Sequence, residues 1–331
     1  MVTNIYNLTK QELTEYLISK GEPKYRADQL FQAVNPTNVP KHLRDLCCLP
    51  AVEKELVSKD GTRKYLLRLQ DDSLIECVLL TQDYGNTVCI SSQVGCKMGC
   101  AFCASGADGF VRNLTAGEML SQVLVTNKVA KISNIVIMGS GEPFDNFENT
   151  IKFLQLVTCP DGINIGARNI SVSTAGLPDK IRAFADLNMQ VNLCISLHAP
   201  NDDIRKTIMP IAKKYSVGEL IESAKYFFEK TKRRVIFEYA LIDNVNCEPQ
   251  HAMELGKLLR GFPNHVNLIN LNEGAGNLRA PSRETAKKFM DTLIKSGVSC
   301  TMRKSKGSDI AGACGQLKTK FVGCGNKGEN E

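Results

Sequence analysis

Long apolar stretches are absent from this sequence of 331 residues. A membrane-spanning helix needs about 18 or more consecutive apolar residues, and no part of the chain comes near that length. Residues 1–20 are polar and amphipathic, without the apolar centre that a secretory signal peptide has. We therefore expect a cytoplasmic protein that has no membrane partner.

A paired set of cysteines is also missing. The 13 cysteines are odd in number and scattered along the chain, and disulfide frameworks belong to secreted proteins rather than to the reducing cytosol. Metal binding or thiol chemistry is the better interpretation of this cysteine content.

Charge of one sign is not abundant either, because the formal net charge is only +6. Such a balance permits a polyanionic partner such as RNA without requiring one.

The first 72 residues favour a small N-terminal helical domain. Thr9 and Glu12 have the spacing of a helix-capping box, and apolar residues repeat at helical spacing over 27–34. Two runs typical of strands, 65–70 and 74–80, follow and would lead into the main domain. We predict an accessory domain over residues 1–72.

Strand-like runs then alternate with helical patterns. The runs are 87–91, 134–138, 169–173, 191–197, 235–241 and 266–271. The helical patterns lie at 116–130, 147–157, 178–187, 217–230, 250–260 and 283–296. This alternation implies an α/β fold with a parallel sheet, open or curled toward a barrel, in which active groups lie at the carboxyl ends of the strands. We predict a core over residues 73–308 and a C-terminal segment, 309–331, with a flexible tail.

Three cysteines follow the first core strand closely. Cys96, Cys100 and Cys103 form a C-x-x-x-C-x-x-C loop, and Gly99 lets its backbone turn tightly. Zinc is one candidate metal, but a structural zinc site has four protein ligands and no fourth cysteine or histidine is near in sequence. Thiolates also bind iron–sulfur clusters, and three of them leave one iron of a four-iron cluster open to substrate. Three ordinary buried cysteines are the remaining alternative.

The cysteine loop resembles the signature of radical S-adenosylmethionine (SAM) enzymes, and its flanks, 91–95 and 109–114, are similar to the RlmN/Cfr family of RNA adenine methyltransferases. Other segments similar to that family are 141–143, 173–176, 196–200, 209–211 and 309–317. The similarity spans nearly the whole chain and is greater to RlmN-type members. One departure is Ser140, where the family usually has methionine. The resemblance implies a partial barrel of six βα units with an N-terminal helical domain.

The same resemblance implies two cofactors. One [4Fe–4S] cluster would be bound by Cys96, Cys100 and Cys103, and SAM would bind at its open iron. The implied SAM-binding residues are Gly141, Glu142, Ser173, Ser196, Leu197, His198 and Asn272. We expect Glu142 to bind the amino group of SAM, and Asn272 its adenine or carboxylate end. Singly these residues suit a turn, a helix cap or a structural histidine, but their recurrence at strand ends favours a shared ligand.

The resemblance also implies three catalytic residues. Cys314 would carry a methyl group from one SAM, and a radical made from a second SAM would take hydrogen from it, so that the carbon adds to adenine. Glu76 would remove a proton from the adduct, and Cys89 would attack Cys314 to give a transient disulfide. Without the resemblance, Cys89 is typical of a strand core and Glu76 of an exposed edge strand. Cys314 lies among small residues that would leave its thiol accessible.

The implied product is 2-methyladenine in 23S ribosomal RNA and in some transfer RNAs. Implied partners are these RNAs and an electron donor such as flavodoxin or ferredoxin, with the enzyme as a monomer. The N-terminal domain would help present a flipped adenine. Basic residues that would suit phosphates are Lys20, Lys24, Arg26, Lys213, Lys214, 230–234 and 303–306. Alternatives are methylation of adenine C8 as by Cfr, a radical SAM enzyme of another class, and an iron–sulfur RNA-binding sensor.

Overall fold

A computed structural model of the chain describes residues 4–32, 39–83, 85–107, 109–272 and 277–317. A sheet of ten strands forms the framework of this part of the chain. Seven of the strands run parallel, and three antiparallel strands extend the sheet on one side. The predicted flexible tail lies outside the described residues, as does Val34 of the predicted second helix.

The N-terminal residues form two helices and the antiparallel strands. Helix α1 (Lys10–Ser19) begins with the predicted capping box, and α2 (Tyr25–Gln32) follows it. The strands β1 (Ala51–Val57), β2 (Arg63–Arg68) and β3 (Leu74–Gln82) are joined in that order, and β3 pairs with β4 (Gly85–Ile90). Strand β1 was not predicted, because nearly all of its side chains are exposed and it lacks apolar alternation. The division at residue 72 stays a prediction, and β2 and β3 are hydrogen-bonded across it.

The six predicted core strands are confirmed. They are β4, β7 (Ile132–Ile137), β8 (Ile170–Thr174), β9 (Asn192–Ser196), β10 (Val235–Leu241) and β11 (Asn264–Asn270), and neighbours pair in parallel. A seventh parallel strand, β12 (Cys300–Arg303), was not predicted, because four residues are too short to show a period. The strands β5 (Gln93–Gly95) and β6 (Phe110–Asn113) form a separate pair that brackets the cysteine loop, residues 96–103.

The predicted core helices are confirmed as well. They are α3 (Ala116–Asn127), α4 (Phe147–Thr158), α5 (Pro178–Asp186), α7 (Val217–Thr231), α8 (Pro249–Leu258) and α9 (Arg283–Lys295). The short helix α6 (Asp202–Ile208), which was not predicted, follows β9. In the described ranges, no helix is long and apolar enough to cross a membrane.

The parallel strands curl into a partial barrel. Cys89 of β4 and Arg303 of β12 line one cavity, although these strands are six places apart in the sheet. In a flat sheet six strand spacings would separate them by about 29 Å. The predicted architecture, a partial barrel of βα units with N-terminal helices, is therefore confirmed, and the curl brings the carboxyl ends of the strands around a common space.

Candidate active site

The three cysteines of the cysteine loop line one cavity at the carboxyl ends of the strands, which we call the cofactor cavity. The loop backbone is held from two sides. The N–H of Cys96 donates to the carbonyl of Gly109 at 3.1 Å, and the N–H of Ala101 donates to the carbonyl of Ile208 at 2.9 Å. Hydrogen bonds to the residue before β6 and to the last residue of α6 thus fix the direction in which the loop approaches the cavity.

The donor set of the cysteine loop fits a four-iron cluster better than zinc. Burial raises the pKa of the Cys96 thiol to about 12 and that of Cys100 still higher, so binding of a metal centre must displace protons. Across the described ranges, no three His, Cys, Asp or Glu side chains are grouped so that they could hold a metal ion. The thiolates of a cluster bind different iron atoms and need not converge at one point, whereas zinc requires convergent ligands.

Gly141 brings the backbone close to the wall of the cofactor cavity. It follows β7 and has φ +106°, which disfavours residues with a side chain. A Cβ atom there would lie 2.7 Å from both the backbone nitrogen of Gln93 and Oγ of Ser92. The next residue, Glu142, donates its N–H to Oε1 of Gln93 at 2.9 Å. The glycine therefore allows the following carboxylate to reach the cavity.

Glu142 is a buried carboxylate held by the backbone. Its Oε1 accepts the N–H of Phe144 at 2.9 Å, and its Oε2 accepts the N–H of Ala175 at 2.6 Å. Burial nevertheless raises the pKa of Glu142 to about 7, because desolvation outweighs these hydrogen bonds. A cationic or amino-bearing ligand in the cavity would restore the charged form.

His198 supplies a neutral hydrogen-bond donor. Its Nδ1 accepts the N–H of Ala240 at 2.9 Å, so the proton of the neutral ring lies on Nε2. Burial and the nearby charge of Arg205 lower the pKa of His198 to about 3, and the ring stays uncharged at neutral pH. The ring also packs edge-on against Phe102 of the cysteine loop, with centroids 4.7 Å apart. His198 therefore joins the strand ends to the cysteine loop.

Most predicted SAM-binding residues meet in the cofactor cavity. The predicted residues that line it are Cys96, Cys100, Cys103, Gly141, Glu142, Ser173, Ser196, His198, Asn272 and Cys314. The side chain of Leu197 is fully buried in the hydrophobic core and does not line the cavity. Asn272 donates to the carbonyl of Cys314 at 3.0 Å and accepts the hydroxyl of Ser305 at 2.8 Å. In the structure Asn272 therefore holds the chain at Cys314.

Residues 307–317, which we call the Cys314 segment, dock on the cysteine loop. The N–H of Ala104 donates to the carbonyl of Gly315 at 2.7 Å, and the hydroxyl of Ser105 donates to the carbonyl of Leu317 at 2.9 Å. Ser140, the departure from the family pattern, donates its hydroxyl to Oγ of Ser105 at 3.1 Å. These contacts place Cys314 beside the loop that carries the three cysteines.

Cys89 and Cys314 line an adjoining cavity, which we call the thiol cavity. The two thiols are close enough that ionisation of Cys314 raises the pKa of Cys89, although burial contributes more to its value of about 12. Cys314 lines both cavities, so its thiol is accessible from the cofactor side and from the Cys89 side.

Glu76 is a third predicted residue near the thiol cavity, although it does not line it. It lies on the same face of β3 as Val78 and Leu80, which do. The alternative interpretation of Glu76, an exposed carboxylate on an edge strand, does not hold, because Glu76 exposes 3% of its side chain and β3 lies between β2 and β4. Its Oε1 lies 2.8 Å from the ammonium of Lys64.

Several polar residues of the cofactor cavity were not predicted. Glu238 accepts a hydrogen bond from Asn267 at 2.9 Å through Oε1 and lies 3.6 Å from Arg303 through Oε2. Within the described residues, Oε2 of Glu238 and Oδ1 of Asn270 are buried without a hydrogen-bond partner. The sequence did contain a signal for Glu238, because a glutamate within the apolar run of β10 is unusual. Arg303, one of the basic residues predicted to suit RNA phosphates, lines both cavities.

Arg205 of α6 ties two strand ends together. The guanidinium is fully buried and donates to the carbonyls of Ala175, Ser196 and Leu197. Burial lowers its pKa to about 10, and its charge in turn lowers the pKa of Cys100. The residue therefore fixes the carboxyl ends of β8 and β9 beside the cysteine loop.

Comparison with known proteins relates the chain to one family. The family model of the radical SAM superfamily matches residues 90–256. A protein of Alkaliphilus oremlandii, named "Probable dual-specificity RNA methyltransferase RlmN", is 48% identical over 96% of this chain and 98% of its own length. A protein of Clostridium perfringens with the same name is 47% identical over 96% of this chain and 97% of its own length.

A solved structure agrees with this relationship. The crystal structure of a radical SAM methyltransferase from Sphaerobacter thermophilus has 42% sequence identity and a TM-score of 0.92, and the match covers 96% of this chain and 100% of that one. Sequence and fold therefore agree along almost the entire length. The chain belongs to the radical SAM superfamily and, within it, to the RlmN family of RNA methyltransferases.

Proposed function

We propose that this chain methylates carbon 2 of a specific adenine in 23S ribosomal RNA, and of an adenine in some transfer RNAs, through a methyl group carried on Cys314. The observation that carries the proposal is that Cys314 lines both cavities, one with the cysteine loop and one with Cys89. A methyl carrier needs access to the methyl donor and to the thiol that later releases it. The names of the relatives, dual-specificity RNA methyltransferases, support RNA as the substrate.

As a member of the radical SAM superfamily, the chain uses a [4Fe–4S] cluster and SAM. The cysteine loop would hold the cluster, which when bound supplies the one-electron reduction of SAM. Glu142 would accept hydrogen bonds from the amino group of SAM. The N–H at Nε2 of His198 would donate a hydrogen bond to an acceptor atom of SAM. Oδ1 of Asn270, which is buried without a hydrogen-bond partner, fits a polar ligand as a further acceptor. Oε2 of Glu238, which has an ion pair with Arg303 but no hydrogen bond, is another such acceptor.

Cys314 would first become methylated. Its thiolate attacks the methyl carbon of the SAM sulfonium, a sulfur–carbon bond forms, and S-adenosylhomocysteine leaves. Although the residue as a whole is exposed, desolvation of its thiol by the cavity walls raises the pKa of Cys314, whereas the charge of Arg303 lowers it, so Arg303 favours the nucleophilic form. An aromatic adenine carbon is a poor nucleophile, and a methyl group carried on sulfur offers a carbon that can be activated for addition.

Glu76 and Cys89 would complete the reaction. The methyl group of Cys314 would lose a hydrogen atom to a radical derived from a second SAM, and the carbon radical left on Cys314 would add to carbon 2 of adenine. One electron would then leave this radical adduct for the oxidised form of the electron donor, and Glu76 would accept the proton of that carbon, so that the aromatic ring is restored. The thiolate of Cys89 then attacks the sulfur of Cys314, so that a disulfide forms and the sulfur–methylene bond breaks. The released electron pair stays on the carbon, which takes up a proton to become a methyl group. A thiol reductant then returns both cysteines to the reduced form.

RNA would approach from the side of the cysteine loop. Lys213 and Lys214 line a surface depression together with Lys97 of that loop, close to the opening of the site. The side chains of Lys213 and Lys214 suit phosphates, as the sequence predicted, whereas the ammonium of Lys97 is paired with Asp145 at 2.8 Å. We further propose a cytoplasmic monomer that receives electrons from a flavodoxin or ferredoxin.

The proposal is tested anaerobically with the protein after cluster reconstitution. Labelled SAM, an electron donor and ribosomal RNA are added, and mass spectrometry follows Cys314 and the RNA adenines. We expect methylated Cys314 and 2-methyladenine. A product of 8-methyladenine would assign the Cfr-like reaction instead. Cleavage of SAM without methyl on Cys314 would indicate another radical SAM class, and absence of cleavage would indicate a sensor.

The affinity for SAM should depend on pH through Glu142. Its pKa of about 7 means that the carboxyl becomes protonated, and loses its charge, as pH falls below 7. We expect the affinity to fall up to about tenfold per pH unit below pH 7 and to level off above pH 8. Calorimetry on reconstituted protein between pH 5.5 and 8.5, at about half-unit steps, measures this. The Glu142→Gln variant should bind weakly with a flat profile, and an unchanged slope there would refute the assignment.

A further inference from the structure

A buried ammonium group connects Glu76 to the Cys314 segment. Lys64 lies on β2 opposite Val78 of β3, and its side chain is only 8% exposed. Its Nζ lies 2.8 Å from Oε1 of Glu76 and donates a hydrogen bond of 3.0 Å to the carbonyl of Ala311. Ala311 stands shortly before Cys314 in the chain. One side chain therefore contacts both the proposed base and the segment of the proposed methyl carrier.

Stability alone does not account for this ion pair. Burial removes both charges from water, and this desolvation can cost more than their attraction returns. Buried ion pairs that are replaced by apolar side chains of similar volume often leave a protein equally stable or more stable. The placement of Lys64 and Glu76 is better explained by a need for defined geometry around the carboxylate.

The β1–β2 hairpin holds the Cys314 segment at other points as well. The hydroxyl of Ser58 donates to the carboxylate of Asp309 at 2.6 Å, and the N–H of Gly307 donates to the carboxylate of Asp60 at 3.0 Å. These bonds fix the start of the segment, and Lys64 fixes it nearer to Cys314. Because Lys64 also contacts Glu76, it constrains the position of the Glu76 carboxylate relative to the Cys314 segment.

We propose that Lys64 is a positioning residue that holds Oε1 of Glu76 and the carbonyl of Ala311 at a fixed separation. The carboxylate is thereby directed at the adenine carbon bonded to the Cys314 methylene. The inference rests on the proposed function, in which Glu76 removes the proton from that carbon. In this step the proton moves to the carboxylate, the bonding pair stays with the ring, and one electron leaves the radical adduct for the oxidised electron donor.

Single-turnover experiments on the reconstituted enzyme with RNA test the proposal. We expect Lys64→Met to methylate Cys314 as the wild type does, but to release methylated RNA at least about 10-fold more slowly, because a misplaced base accepts the proton poorly. The covalent protein–RNA adduct should therefore accumulate on denaturing gels. Lys64→Arg, which keeps the charge, should restore most of the rate.

Two comparisons separate positioning from a general effect. Lys59→Met removes an exposed lysine of the same hairpin and should leave release unchanged. Lys64→Met/Glu76→Gln should release RNA no more slowly than Glu76→Gln alone, because both substitutions affect one step. Release at the wild-type rate by Lys64→Met, or fully additive losses in the double variant, would overturn the proposal.

Failure to fold is covered by a further variant. If Lys64→Met does not fold, Lys64→Gln replaces it, since an amide tolerates burial but cannot span both acceptors. Failure of the proposed function is also distinguishable. A wild-type enzyme that forms no methyl-Cys314 refutes that function, whereas a normal wild type with an unaffected Lys64 variant refutes only the role of Lys64.

Discussion

Cys314→Ser should yield no detectable methylated RNA, a loss of more than about 1000-fold, while Cys89→Ser should leave RNA covalently attached to the enzyme. The two outcomes differ because the proposed mechanism assigns the two thiols to different stages of the reaction. A serine hydroxyl at position 314 cannot take a methyl group from SAM at a useful rate. A serine at position 89 leaves methylation of Cys314 intact but cannot break the sulfur–carbon link by forming a disulfide.

The measurement combines mass spectrometry of the protein with denaturing gels of labelled RNA. Cys159→Ser is a matched control, since this partly buried cysteine at the end of α4 lines neither cavity. It should behave as the wild type does. Normal product release by Cys89→Ser would show that another group resolves the adduct and would contradict the assignment.

Arg205→Met should lower the free energy of unfolding by about 3 kcal/mol. The substitution removes the guanidinium that donates to the carbonyls of Ala175, Ser196 and Leu197, and it leaves those oxygens buried without this donor. Relief from burying a charge offsets part of the cost, and the unpaired carbonyls account for the remainder. The carboxyl ends of β8 and β9 would lose their shared anchor beside the cysteine loop.

Urea unfolding of the cluster-free protein, followed by circular dichroism, measures this loss. The neighbouring Lys206 is exposed, and Lys206→Met should change the stability by no more than about 0.5 kcal/mol. Arg205→Lys keeps the charge but lacks the forked donors, so an intermediate value is expected. If Arg205→Met were as stable as the control, the three carbonyls would not depend on this side chain.

The site was predictable where its residues form local sequence patterns. The cysteine loop is compact in sequence, and Gly141, Glu142, Ser173, Ser196 and His198 each follow a strand with a recognisable apolar run. Parallel strands bring such ends together, so the cofactor cavity follows from the repeat of βα units. Whether those residues perform the assigned roles stays a prediction.

Other parts of the site depend on contacts that sequence spacing does not reveal. Lys64 meets the carbonyl of Ala311, which is 247 residues away, and Arg205 binds main-chain oxygens, which carry no residue-specific signal. Asn272, which is predicted to bind SAM and lines the cofactor cavity, also donates to the carbonyl of Cys314, a contact that the sequence does not reveal. Strands β1 and β12 were missed because one is exposed and the other is short.

The sheet continues from the N-terminal strands into the barrel, so the N-terminal residues have a fixed position relative to Cys314. Strand β4 is hydrogen-bonded to the second half of β3, from Val78 to Gln82. Asn7 accepts the N–H of Gly117 in α3 at 2.6 Å, and Lys10 pairs with Asp161 at 2.9 Å. If the N-terminal basic residues bind phosphates of an RNA, these phosphates are held at a fixed distance from Cys314. Only an adenine at the matching distance along that RNA would then reach the thiol.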